Sequence, residues 1–206
     1  MKRRHLSKLL ILLFVVFFGV LTCIHPIYPN GMFLQHLGTL LILTLLINDL
    51  LRNNLTILAF SGIALFTIFH IIGARYLYSY VPYNEWSQQF FGININHLLG
   101  ITRNDYDRFV HFSFGILFFP FLMETINRWK LSKQKTVLVS WLIIQVCSMI
   151  YELFEWLLTL VLSGAAAQNY NGQQGDIWDP QKDMLLALIG SSLVALFFLI
   201  KKDRNN

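Results

Sequence analysis

The chain is predicted to be an all-α integral membrane protein, a bundle of six transmembrane helices forming a single polytopic domain over 1–206. Three observations predict it. The 206 residues are 55% hydrophobic and only 13% charged, against about 45–50% and 25% in soluble domains. Apolar runs close to the ~17–25 residues that cross a bilayer recur six times along the chain. The lysines and arginines between those runs fall mostly on alternate connections, as the positive-inside rule requires.

The first run, 9–25, follows Lys2, Arg3, Arg4 and Lys8 and has no small-x-small cleavage site, so it reads as an uncleaved first helix. The second and third occupy 32–50 and 55–74. The connection 76–106 contains Tyr78, Tyr80, Tyr83, Trp86, Phe90 and Phe91, a composition suited to an interfacial helix or lid. The fourth run, 109–127, is short before Glu124, which is expected to pair with Arg128 one helical turn on. The fifth, 136–162, is long enough to tilt or to project from the bilayer. A Gly-, Gln- and Asn-rich connection, 163–182, leads to the sixth, 183–200, where Ala187, Gly190, Ser191 and Ala195 allow close helix approach. Cys23 and Cys147 lie within apolar runs and match no metal or disulfide pattern.

With both termini in the cytoplasm, the inner segments carry twelve of the 16 basic residues, Lys202 and Arg204 among them. Arg75, Arg103, Arg108 and Lys182 fall outside. The pI near 9.3 then reflects topology and anionic lipid rather than nucleic acid. The longer, more polar connections are the outer ones, which places any chemistry on that face.

Glu152 and Glu155 are the most informative residues. They share a stripe with Gln145, Ser148 and Thr159 at steps of three and four, hence one helix face. A carboxylate in hydrocarbon costs about 2.5–3.5 kcal/mol even on insertion scales, so the stripe must face protein, water or a cation. Asp107 and His111 share a helix face four residues apart, a spacing that suits joint metal ligation, an orienter–base pair, or a helix cap beside an interfacial hydrogen-bonder. In QGDIWDPQKDM, Asp179 before Pro180 reads as a helix cap, Asp183 falls in the first turn, and Asp176 sits in a loop free to reach a ligand. Arg75 offers either a counter-charge to the acids or a planar fork for an anion, and His70 nearby reads as a satisfied bundle residue.

Taken together, RNDYDRFVHF, YELFEW, QGDIWDPQKDM and HIIGARYLYSY resemble the YjdF family of bacterial inner-membrane proteins, a domain of unknown function. The order D-x-x-x-H-F, E-x-x-E, D-x-x-D-x-x-x-A-x-x-G is more remotely similar to VanZ-like membrane proteins, linked to glycopeptide resistance, which often have Gln at the position of Glu155. The resemblance implies a bacterial inner-membrane location.

The leading expectation is a metal- or proton-dependent outward-facing polar site acting on a lipid headgroup or cell-envelope precursor, in the metal-dependent case as a hydrolase or transferase. His111, Asp107, Glu152 and Glu155 would be catalytic, and the same four with Asp176 and Asp183 would be metal ligands. Arg75 and Arg108 would hold an anionic group. Oxygen-rich donors with one imidazole suit Mg²⁺, Mn²⁺ or Zn²⁺. The alternatives are a proton- or cation-coupled small-solute transporter and a scaffold locked by acid–arginine pairs. The bilayer, and through it a lipid-linked substrate, are the expected partners.

Overall fold

The computed structural model describes residues 2–161, 164 and 171–201. Within them run α1 (Lys2–Thr22), α2 (Pro29–Arg52), α3 (Ile57–Tyr76), the short α4 (Tyr83–Phe91) and α5 (Ile95–Leu99), then α6 (Tyr106–Leu117), α7 (Phe119–Ile126), α8 (Lys133–Val161) and α9 (Asp179–Ile200). Six helical segments are long and apolar enough to cross a membrane, with α6 and α7 counting as one. Most helices extend beyond their apolar runs, because hydropathy detects the lipid-matched stretch while the helix continues through polar ends. The basic residues Lys202 and Arg204, residue 162, and residues 163 and 165–170 of the fifth connection lie outside the described residues.

The fourth span is broken. Pro120 has no N–H to donate to the preceding turn, and the helix interrupts at Phe118 before restarting as α7. Glu124 does not pair with Arg128 as expected. Its carboxylate accepts from the Thr56 amide at 2.7 Å and from the Thr56 hydroxyl, while Thr56 caps α3. A capping oxygen with two donors at a helix start holds the acid better than a flexible guanidinium does. In the long connection, α4 and α5 leave Phe90, Phe91, Leu98 and Leu99 exposed, as an interfacial element requires.

The bundle has two halves. Helix α3 packs between α1 and α2, α9 packs between α6 and α8, and α3 against α6 joins the halves. At the end carrying the termini, Lys8 is fully buried and donates to Asp49 at 2.6 Å and to Asn53 at 3.1 Å. Asp49 also accepts from the amides of Asn54 and Leu55. Lys8 is therefore a structural residue as well as part of the flanking charge, and it ties α1 to the end of α2.

The α6–α9 contact fixes the polar residues described below. A Cβ on Gly115 would lie 2.4 Å from the Ala187 carbonyl oxygen, and one on Gly190 would lie 2.4 Å from that of Phe112. Backbones this close admit only hydrogen at both positions. Gly190→Ala is expected to destabilise the bundle by about 1–3 kcal/mol through overpacking, read as a lower unfolding midpoint in detergent. An unchanged midpoint would show that the two helices separate freely.

Candidate functional site

The close approach of α6 and α9 brings two i, i+4 pairs face to face at the end of the bundle that carries α4 and α5. Asp107 and His111 come from α6, and Asp179 and Asp183 from α9. Helix α8 adds Glu152 and Glu155 from the same side. All six are buried, so a stripe that is costly in lipid is turned onto protein.

One ligand atom each from Asp107, His111 and Asp183 lie within 4.8 Å of one another. Three donors spread evenly around one ion at about 2.0–2.2 Å are at most ~3.8 Å apart, so an ion would draw these groups inward by roughly half an ångström or somewhat more. His111 Nε2 is 3.2 Å from Glu152 Oε1 and 3.8 Å from Asp107 Oδ1. Asp183 Oδ1 is buried with no hydrogen-bond partner among the described residues, and Glu152 Oε1 has only its contact with His111. Buried carboxylate oxygens are normally satisfied, and an unsatisfied one beside an imidazole fits the donor set of a divalent cation.

Above this cluster lies a lattice of arginines and acids. Arg103 donates to Asp179 Oδ1 at 2.7 Å and to Oδ2 at 3.3 Å, and it also donates to the carbonyls of Gly172 and Gln173. Arg108 donates to Asp105, to Asp176 at 2.6 Å and to Asp179. The segment from 171 to 176 is thereby pinned over the acids. Gly172, at φ +68°, passes so close that a Cβ would meet Asp107 Oδ2 at 3.4 Å, and the buried Asn171 donates to the Glu155 carbonyl. The Asp176 carboxyl is pulled down to about 2, first by its hydrogen bond from Lys182 and then by that from the Trp178 amide. Its contribution to the latch is therefore fully present above the ordinary value of 3.8 and lost only as pH falls through about 2.

Of the expected residues, Asp107, His111, Glu152, Glu155 and Asp183 are brought together. Asp176 is not among them, because Arg108 and Lys182 hold it at the roof. Asp179 does not cap α9: Trp178 occupies that position, and the Asp179 carboxylate goes to Arg103. Arg75 does not face the acids either. It donates to the Thr22 and Ile24 carbonyls and ties the ends of α3 and α1 together. Arg108 is occupied by aspartates, so it holds the roof rather than an open anion site. His70 is satisfied as expected, between the Tyr78 hydroxyl and the Gln35 carbonyl. The contributions of Asp105 and Asn171 were missed. Alternating charges in RNDYDR were the available signal for Asp105, while Asn171 had none.

A family model described as "Predicted membrane protein (DUF2238)" matches residues 6–204. The inner membrane protein YjdF of Escherichia coli (strain K12) is 32% identical over 161 residues, covering 77% of this chain and 72% of that protein. No solved structure matches significantly.

Proposed function

The chain belongs to the DUF2238 family of membrane proteins, and from that premise we propose that it carries a divalent-metal site acting on a lipid headgroup or a cell-envelope precursor. The site would open to the outer face of a bacterial inner membrane, with both termini cytoplasmic. The carrying observation is the Asp107–His111–Asp183 constellation within 4.8 Å, with an unpartnered buried oxygen on Asp183 and the Glu152 carboxylate 3.2 Å from His111. Asp107, His111 and Asp183 would hold the ion, with Glu152 a further ligand or a proton acceptor beside His111. Glu155 lies behind Glu152 on the same helix face and sets the local charge. Bound, the metal would supply a Lewis acid and a water activated at neutral pH. Arg103 and Arg108 position the roof, which restricts water at the site.

Metal analysis tests this reading. Purified protein exposed to Mg²⁺, Mn²⁺ and Zn²⁺ and then desalted is expected to retain stoichiometric divalent metal, and the Asp107→Ala/His111→Ala variant is expected to retain none. Equal, negligible metal in both proteins would overturn the proposal.

A further inference from the structure

A cavity of about 460 Å³ begins at Asp107, His111 and Tyr151 and continues along the bundle to Phe121 and Leu122. Below its polar end the walls are largely apolar, among them Leu41, Leu45, Phe114, Phe118 and Ile143. From Asp107 to Leu122 the path covers roughly 22 Å at 1.5 Å per helical residue. One leaflet of hydrocarbon is about 15 Å deep, so the cavity reaches from headgroup level through a whole leaflet. Its two lips are α2 and α8, which are not packed against each other. Leu41 and Cys147 on those lips are exposed, so the cavity opens sideways toward lipid.

The lining decides between occupants: an apolar wall with polar groups at one end only matches a hydrocarbon chain that carries a polar head. The polar end then faces the headgroup, and a divalent ion held by carboxylates would meet a phosphate with complementary charge.

We propose that this cavity is a lateral slot for one hydrocarbon chain of a phosphate-bearing membrane lipid, entered between α2 and α8, with the headgroup at the end lined by Asp107 and His111. The slot rests on the metal-site reading above and assigns its substrate class as a lipid presented from within the bilayer. Ser148 and Cys147 in the wall lie one turn below Tyr151, where the chain would leave the headgroup.

The test is photolabelling of the full chain in phosphatidylethanolamine vesicles containing phosphatidylglycerol with a diazirine in one acyl chain. Adducts are expected on Leu41, Leu45, Ile143 and Cys147 in clear excess over Leu193 and Leu196, which are exposed on α9, and unlabelled phosphatidylglycerol should compete them away. Filling the lips with Ile143→Trp and Cys147→Phe should lower these adducts about tenfold by removing burial of a few methylenes, with Mn²⁺ binding retained. Labelling as dense on Leu193 and Leu196 as in the slot, with Mn²⁺ still bound, overturns the slot and leaves the metal site standing. Saturable slot labelling without Mn²⁺ binding overturns the metal site and leaves the slot as a lipid-binding groove. A Cys147–Cys147 cross-link between copies in place of lipid adducts also overturns the slot.

Discussion

Asp183→Asn is expected to abolish divalent-metal binding and, in metal-free protein, to raise the unfolding midpoint. Asp107, Glu152, Glu155 and Asp183 are all buried, while the ion pairs of Arg103 and Arg108 go to Asp105, Asp176 and Asp179. Crowding four buried acids costs stability, as charge repulsion or as forced protonation, and an isosteric amide removes one member of the crowd, for a gain of about 1–3 kcal/mol. Metal reverses the order. At a hundredfold excess over Kd, a ligand bound only by the folded state contributes about 2.7 kcal/mol, and only the wild type would receive it. Thermal unfolding in detergent with EDTA and then with Mn²⁺ reads both signs. A scaffold role predicts the reverse: a variant less stable without metal, and no Mn²⁺ response in either protein.

Arg103→Ala is expected to have the largest destabilising effect, about 2–3 kcal/mol, because it takes the two-pronged fork from a buried carboxylate and leaves it only the Arg108 contact at 3.3 Å. Asp179 is 1% exposed, and Arg103 is the residue that joins it to the backbone of Gly172 and Gln173. The consequence is local first. Proteolytic nicking within 171–175 should appear in the variant at temperatures where the rest of the bundle is intact. Arg103→Lys keeps the charge but loses the planar fork and should fall between the two. Equal protection of this segment in all three proteins would show that other contacts hold the roof.

Much of the fold was legible because its causes are local. Apolar length identified every span, and the aromatic connection 76–106 marked α4 and α5. The three- and four-residue steps placed Glu152 and Glu155 on one helix face, and the same spacing joined Asp107 to His111. The helix break at Phe118 was not read, although Pro120 was its visible cause.

Partner choice was not legible, because it depends on which backbones approach through space. Asp176, Asp179 and Asp183 are similar in a loop-to-helix sequence, yet they have three different fates. Asp176 is held by Arg108 and Lys182, Asp179 by Arg103, and Asp183 lies beside Asp107 and His111 with one oxygen unpartnered. Arg75, an attractive counter-charge by sequence, is directed to the carbonyls at the end of α1. Residue order thus dictated a six-span bundle with costly acids toward one end, since burying apolar length and exposing basic flanks are properties of each segment alone. The meeting of those acids with an imidazole rather than with arginines followed from the glycine contact of α6 with α9, a distance that exists only once the helices are packed.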